Sequence, residues 1–411
     1  MKDDHMSDTD ANRVYVHIGS PKTGTTYLQE ILWNNREALR EAGVHYPGTR
    51  PDAHFHAAMD LQNTQFQADW FDDNVPNAWE NLVKQAADGP ATAVISHELF
   101  CTATPEQIER AMADLSFAEV HLVCTVRDLQ RQLPAVWQED VKNRHTISFE
   151  EFVAGVRRTV AEPDMLSELF WHRQDVPEIL AKWGRSIPPE RVHVVTVPPA
   201  GSSTDLVWHR FAELLGLRPE EYDTRVQQRN RSLGVAETEL IRRLNQRLNG
   251  NIDWPTHDRR VKRNLAEEIL GSRKARNPLE VPEQHREWLR QQSERITEAL
   301  AERGYEVIGD LDELRPAVTD GPEVVPDHPD TAELAEVAIE ALAEVIGSET
   351  ARQRARPEPK APPAPEAPKA PGLRESLVLS SDRHPTLRIA LGAYRRIKRI
   401  SLRAAAHRGK R

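Results

Sequence analysis

The sequence predicts an α/β fold: a parallel sheet flanked by helices, with a helical C-terminal half and a disordered tail. Three observations predict it. Strand-like and helix-like segments alternate over about the first 200 residues, which is typical of parallel sheets. The first strand runs through a glycine-containing loop straight into a helix, and the composition changes beyond residue 316.

The predicted strands are short apolar or alternating runs rich in β-branched residues. They cover 13–18, 91–96, 120–126 and 191–197, with a last short extended piece at 305–308. The helices among them show apolar residues at helical spacing and cover 27–40, 78–87, 129–143 and 176–183, with another beginning near Pro105. Beyond residue 202 the pattern is helical, over 203–215, 235–248, 258–270 and 282–303.

Composition divides the chain into five segments. The first is a polar lead, 1–12, which we expect to be disordered, and the second is the folded domain, 13–316. An acidic linker follows at 317–356, with a helical apolar stripe at 331–346. A Pro/Ala-rich linker, 357–382, is expected to be extended and semi-rigid, and a basic tail, 383–411, ends the sequence.

The charge of the chain is unevenly distributed. The whole sequence carries −10, whereas the tail 383–411 has ten Lys and Arg and no Asp or Glu, so residues 1–382 carry −20. An acidic body argues against a nucleic-acid-binding core. The tail mixes apolar residues with its cations, and three interpretations stay open. It is a solvated charge run, a peripheral contact with an anionic membrane surface, or a segment that binds an acidic partner or the acidic body of this protein.

The sequence features favour a reducing compartment. Its two cysteines, Cys101 and Cys124, are too few for a disulfide framework, and Cys124 lies in a predicted buried strand. Residues 1–12 lack the apolar segment of a secretory signal, and no stretch approaches the roughly 20 apolar residues of a membrane span. We therefore expect a cytoplasmic protein, with peripheral membrane attachment through the tail as the alternative.

The loop Gly19-Ser-Pro-Lys-Thr-Gly-Thr-Thr26 is a predicted anion site. Unpaired N–H groups and the helix dipole make a helix N-terminus attractive to anions, and Gly24 permits close approach of the backbone. The loop is not a Walker A motif, because Thr25 stands where that motif has lysine and the cation is Lys22 instead. That arrangement is poorly suited to binding a nucleoside triphosphate with Mg²⁺.

Residues 20–28, Ser-Pro-Lys-Thr-Gly-Thr-Thr-Tyr-Leu, resemble the 5′-phosphosulfate loop of the sulfotransferases that use 3′-phosphoadenosine 5′-phosphosulfate (PAPS), whose usual form is P-K-[ST]-G-T-T-x-L. The resemblance implies a P-loop-like fold and PAPS as co-substrate without a metal. It implies that Lys22 acts on the leaving oxygen and that Tyr27 lies near the adenine. By the same resemblance, the residues that hold the phosphosulfate are Pro21, Lys22, Thr23, Gly24, Thr25 and Thr26. The composition, rich in Ala, Arg, Glu and Pro, suggests a bacterial source.

The family's second signature is a strand that ends in arginine, followed by a helix carrying a serine about two turns later, both on the 3′-phosphate. Arg127 follows the predicted strand 120–126 and matches the arginine. The serine is missing, because Ala135 stands at its position. Arg131 or Gln132, one turn along, are the candidates to replace it.

Two neighbouring residues are candidates for the base that deprotonates the acceptor. Glu98 and His97 follow the predicted strand 91–96 directly, at the edge of the sheet where ligands bind. Sulfotransferases that modify carbohydrates often have a glutamate there, whereas the small-molecule kind uses a histidine in this area. We favour Glu98 over His97.

Other candidates are weaker. His54 and His56 are either pocket residues or ordinary residues of a helix start, and no third ligand suggests a metal. Arg229 and Arg231 fit a basic lid over the nucleotide, while Asn230 or Ser232 is a candidate N-cap of the next helix.

The function expected from the resemblance is sulfuryl transfer from PAPS to a hydroxyl or amine of a carbohydrate, glycolipid or small metabolite. The alternatives are a P-loop kinase or NTPase that uses ATP and Mg²⁺, and a non-catalytic nucleotide-binding scaffold. The acceptor and the oligomeric state stay open.

Overall fold

A computed structural model describes residues 12–64, 72–158, 165–226, 232–274, 277–316 and 326–355, with side chains as far as residue 347. Six parallel strands form one sheet in the order β2-β3-β1-β4-β5-β6. Their bounds are β1 Arg13–His17, β2 Val44–His45, β3 Thr92–Ser96, β4 Glu119–Val126, β5 Val192–Thr196 and β6 Glu306–Ile308.

The helices pack on both faces of this sheet. Those that precede β5 are α1 Thr25–Asn34, α2 Arg36–Glu41, α3 Ala53–Gln62, α4 Ala78–Ala87, α5 Pro105–Asp114, α6 Leu129–Lys142, α7 Phe149–Val156, α8 Met165–Gln174 and α9 Val176–Trp183. Those that follow are α10 Leu206–Leu214, α11 Val235–Leu248, α12 Trp254–His257, α13 Glu283–Ala301 and α14 Thr331–Ala355. A π-helix, Asp258–Ile269, continues from α12.

This architecture confirms the predicted α/β class, a parallel sheet flanked by helices. The predicted helices 78–87, 176–183 and 235–248 match α4, α9 and α11. Strand β2 was not predicted, because a two-residue strand has too little pattern to recognise. The predicted helix 27–40 begins two residues earlier, at Thr25, and is divided in two at Asn35, whose side chain donates to the Ile31 carbonyl oxygen.

The core consists of two apolar layers, one on each face of the sheet, because successive residues of a strand point to opposite faces. In β1, Val14 and Val16 belong to one layer and Tyr15 to the other. The layer that contains Tyr15 includes the buried faces of α1 and α10, and the other is larger. The sheet is therefore covered on both sides, and its free carboxyl edge is the place where polar residues gather.

The chain divides into two compact units, Met1–Gly347 and Ser348–Arg411. The first extends beyond residue 316, where the sequence analysis ends the folded domain. In the predicted helical stripe, Leu334, Val337 and Ala341 of α14 are buried. The boundary is hard to see in the sequence because glutamates alternate with that apolar face. Of the second unit the structure describes residues 348–355, which are helical, so the lead 1–11 and the segments from 356 onward, including the basic tail, lie outside the described residues.

In the described part of the chain, every helix is too short or too polar to cross a membrane.

Candidate active site

The loop between β1 and α1 adopts a backbone that few residue types accept. Gly19, Lys22 and Gly24 have φ angles of 79°, 69° and 85°. Glycine adopts such angles readily, whereas for Lys22 the conformation costs about 1 kcal/mol, a strain that is typical of ligand-binding loops. Gly24 is the N-cap of α1, and no side chain caps this helix end. The first turn of α1 therefore keeps backbone N–H groups available for an anion.

Buried side chains hold the loop from behind. The Thr23 hydroxyl donates to the Ser20 carbonyl oxygen at 2.5 Å and lies 2.6 Å from the Thr125 hydroxyl. Gln132 of α6 donates to the Pro21 carbonyl oxygen at 2.5 Å. Gln174 of α8 accepts from the Ser20 hydroxyl at 3.0 Å. Thr23 is fully buried and its hydroxyl is engaged with Ser20 and Thr125, so its side chain supports the loop from inside the protein.

The three residues after Gly24 face different surroundings. The Thr25 hydroxyl is buried and contacts Glu98, whereas Thr26 is exposed. The Tyr27 hydroxyl donates to Asp205 Oδ1 at 2.7 Å, next to α10. Burial and this hydrogen bond raise the pKa of Tyr27, so the phenol stays protonated. Tyr27 is thus fixed on the α10 side of the loop.

Lys22 is held by an acidic side chain of α6. Its Nζ lies 2.8 Å from Oε2 of Glu139, while Oε1 of the same carboxylate accepts from Lys262 Nζ at 2.8 Å. Lys262 belongs to the π-helix and also donates to Asn143 Oδ1 at 2.9 Å. Burial raises the pKa of Glu139, but the neighbouring lysines outweigh it and hold the pKa well below its usual range. A carboxylate shared by two cations therefore restrains the loop lysine, whose side chain is 26% exposed.

Arg127 is a buried cation beside the loop. Its Nη1 donates to the Lys22 carbonyl oxygen at 3.2 Å, and its Nε is buried without a hydrogen-bond partner among the described residues. Burial, together with Arg131, lowers its pKa to about 10, so the guanidinium is charged at neutral pH. A buried positive charge needs an anion nearby, and Arg127 is therefore suited to bind one.

The residues considered as replacements for the missing serine have other roles in this structure. Arg131 pairs with Asp128, which also accepts a hydrogen bond from the Arg131 backbone as N-cap of α6. Gln132 bonds the loop backbone, as described above, and Ala135 is partly buried on α6.

Glu98 lies directly against the loop. It begins a short 3₁₀ helix after β3, and a Cβ added to Gly19 would come within 2.6 Å of its Cβ. Gly19 is therefore required for this approach. Burial raises the pKa of Glu98, but His97 and hydrogen bonds from Gln29 and Thr25 outweigh it, and the net shift is downward. Glu98 is an ionised carboxylate at neutral pH.

His97 is a weaker base in this arrangement. Its Nδ1 accepts a hydrogen bond from the Leu99 backbone N–H at 3.1 Å, so the proton of the neutral ring must lie on Nε2. Nε2 is 4.0 Å from Glu98 Oε2. Burial lowers the pKa of His97, although Glu98 acts in the opposite direction. The lone pair of the neutral His97 ring is used in capping the 3₁₀ helix, whereas Glu98 is an ionised carboxylate that can accept a proton.

His54 and His56 take structural roles. His54 is buried, bonds the Pro47 carbonyl oxygen at 2.8 Å and accepts from the Ser96 backbone at 3.1 Å. His56 contacts Asp72 Oδ2 at 2.9 Å. The described residues contain no cluster of three or more side chains that could hold a metal.

The predicted lid residues cannot be placed. Arg229, Asn230 and Arg231 lie outside the described residues. Helix α11 has Gly234 as its N-cap, in place of the predicted Ser232.

The structure brings the loop, Arg127 and Glu98 to one edge of the sheet, because β3 and β4 are the neighbours of β1 and each strand ends at its carboxyl edge. Sequence reasoning missed Glu139 and Lys262, and it missed Gln174. No local pattern marks these residues, since each acts on the loop from a distant part of the chain.

The chain matches no family model and no curated protein. It is similar to the crystal structure of a sulfotransferase from Alicyclobacillus acidocaldarius at 15% identity. The match covers 59% of this chain and 97% of that one, with a TM-score of 0.33.

Proposed function

We propose that this protein transfers a sulfuryl group from PAPS to a hydroxyl or amine of a carbohydrate, glycolipid or small metabolite. The observation that carries the proposal is the loop of residues 19–26 with Lys22 inside it, between an ionised glutamate and Arg127, whose buried Nε has no hydrogen-bond partner among the described residues. An anion-binding loop alone would suit many nucleotides. The buried Arg127 beside it favours a nucleotide with a second phosphate group.

The residues present fit such a co-substrate. The uncapped N-terminus of α1 and Lys22 would hold the 5′-phosphosulfate, and Arg127 would hold the 3′-phosphate. A Cβ on Gly24 would meet no atom within 4 Å, so the loop is open at that point. PAPS supplies an activated sulfuryl group, which it donates as the bond between sulfur and the bridging phosphate oxygen breaks.

Glu98, Lys22 and His97 have different roles in the proposed reaction. Glu98 accepts the proton of the acceptor as the new bond from acceptor oxygen or nitrogen to sulfur forms. Lys22 stabilises the negative charge that develops on the departing phosphate oxygen, which lowers the transition state more than the ground state. His97 keeps Glu98 in place by capping the 3₁₀ helix that carries it.

Lys22 must leave Glu139 to do this. In the structure its amine bonds that carboxylate, so binding of an anion at the loop competes with an internal ion pair. Lys262 stays with Glu139, which means that the carboxylate is not left without a cation. The exchange is therefore inexpensive, since a buried charge that loses all its partners would cost several kcal/mol.

Calorimetric titration without metal tests the proposal. We expect adenosine 3′,5′-bisphosphate to bind more tightly than ADP, because Arg127 recognises the additional phosphate. Preference for ADP, or binding that requires Mg²⁺, would favour a kinase or NTPase. Asp128, the acidic residue that directly follows Arg127, is already engaged as a helix cap and with Arg131.

Turnover is tested separately, as release of the bisphosphate from PAPS with a panel of carbohydrate, glycolipid and amine acceptors. Lys22→Ala should abolish release, while Lys84→Ala, a matched change on the distant helix α4, should leave it unchanged. Binding of the bisphosphate without any turnover would indicate a scaffold.

A further inference from the structure

A small cavity borders the loop at Ser20 and the end of β4 at Val126 and Arg127. Its volume is about 10 Å³, and its polar lining comes from Ser20, Arg127, Gln132, Gln174 and Ser293. Ser293 belongs to α13, which is far from the loop in sequence. The cavity therefore joins the loop, α6, α8 and α13 at one point.

Three buried polar atoms of this lining have no hydrogen-bond partner among the described residues. They are Nε of Arg127, Oε1 of Gln132 and Oγ of Ser293. Gln132 and Ser293 are 1% and 2% exposed. Buried polar groups without a partner are rare, because each costs about 1–3 kcal/mol, so three around one cavity need an explanation.

The size of the cavity decides what can satisfy them. A cavity of about 10 Å³ is close to the minimum that holds one water, whereas a phosphate or sulfate is several times too large. Buried waters typically make about three hydrogen bonds. A single water in this cavity would accept from Arg127 Nε–H and the Ser293 hydroxyl and donate to Gln132 Oε1, which makes three hydrogen bonds.

We propose that a buried water bound by Gln132 and Ser293 positions the guanidinium of Arg127 for the 3′-phosphate of the nucleotide, so that Ser293, on α13, takes over the part of the serine that is absent at Ala135. The water fixes Nε, and the Lys22 carbonyl oxygen fixes Nη1. In this proposal, the remaining N–H groups of the guanidinium are the donors to the 3′-phosphate. Ser293 is thus a positioning residue, and its effect on the nucleotide rests on the proposed function.

The test compares Ser293→Ala with Ser293→Thr, which keeps the hydroxyl, and with Thr297→Val, which removes a hydroxyl from the same helix outside the cavity lining. Calorimetry gives the ratio of affinities for adenosine 3′,5′-bisphosphate and AMP. We expect Ser293→Ala to reduce that ratio about fivefold, the effect of one hydrogen bond, through the bisphosphate alone. Ser293→Thr should restore it, and Thr297→Val should leave it unchanged.

An unchanged ratio in Ser293→Ala, or an equal loss in Thr297→Val, would overturn the positioning role. A high-resolution crystal structure of the wild-type protein tests directly whether the water is present. Density within hydrogen-bond distance of all three atoms supports it, and a direct bond between Ser293 and Gln132 overturns it. If the wild-type protein binds AMP as tightly as the bisphosphate, the proposed function fails. The crystal structure then still shows whether the water is present.

Discussion

At the scale of single residues, Glu98 and His97 differ in the contacts that their side chains make. The Glu98 carboxylate is ionised and touches the loop, whereas His97 uses its lone pair on the Leu99 backbone. The proton of the acceptor therefore goes to the glutamate in the proposed reaction. Both residues follow the same strand, so substituting each in turn tests which of them accepts the proton.

We expect Glu98→Gln to lower turnover by about 10²–10⁴-fold with little change in affinity for the bisphosphate, because only the base is lost. His97→Asn should retain most of the turnover, since asparagine is a good N-cap and keeps Glu98 in place. Steady-state kinetics and calorimetry on both variants provide the check. An equal loss of turnover in the two variants would mean that His97 carries the proton.

Glu139 is the second residue with a distinct role, because it competes with the ligand for Lys22. Glu139→Gln should tighten binding of the bisphosphate about fivefold, which corresponds to an ion pair of about 1 kcal/mol. Calorimetry measures the effect, with the exposed Glu178→Gln on α9 as control. Weaker binding in Glu139→Gln, with a thermal unfolding curve like that of wild type, would show that the carboxylate supports the site instead of restraining it.

At the scale of elements, α6 links most of the site. Asp128 caps it, Gln132 bonds the loop and Glu139 holds Lys22, while Gln138 bonds the backbone of Leu233 ahead of α11. Residues 132 and 139 lie two turns apart on one side of the helix. A displacement of α6 would therefore change the loop and its lysine together.

A second link between elements joins α7 to the segment before α14. The Asp327 carboxylate accepts from the backbone N–H groups of Phe149 and Glu150 at 2.6 and 2.7 Å, in the first turn of α7. We expect Asp327→Ala to lower the free energy of unfolding by about 1 kcal/mol, because a charged cap at a helix N-terminus is lost. Urea denaturation measures it, and the exposed Asp73→Ala is the control. A loss no larger than that of the control would count against the cap.

Local sequence patterns predicted the elements and the loop. They did not predict which distant residues contact the loop. Residues 20–28 form a continuous motif, and Arg127 and Glu98 each follow a recognisable strand, so three parts of the site could be found from the sequence. Glu139 contacts Lys22 across 117 residues, and Lys262 contacts Glu139 across 123. Such pairs depend on how helices pack, which periodicity does not encode. Strand β2 was not predicted for a local reason: a strand of two residues has no recognisable pattern.

At the scale of the whole molecule, pH should act through the buried histidines. His17 lies in the middle of the sheet, bonded to Ser96 at 2.8 Å and Thr125 at 3.1 Å, and burial lowers its pKa from 6.5 to about 4. The unfolded chain binds a proton at this residue below pH 6.5 while the folded protein does not. Stability is therefore complete above pH 6.5 and falls as the pH decreases towards 4.

We expect the loss from His17 alone to be about 3 kcal/mol over that range, since each pKa unit corresponds to about 1.4 kcal/mol. Chemical denaturation between pH 4 and 7.5 measures it. His17→Gln should flatten the curve, whereas the exposed His172→Gln should leave it unchanged. A wild-type stability that does not change between pH 6.5 and 4.5 would exclude a neutral buried His17.

The strand order has a consequence for how such a protein can change. The glutamate follows β3 and the arginine follows β4, with β1 and its loop between them. If the proposed function is right, selection or engineering can therefore change the acceptor site beside β3 while the nucleotide contacts beside β4 stay the same. The shared limit is Gly19, where any side chain would collide with Glu98, so diversification must leave that single position alone.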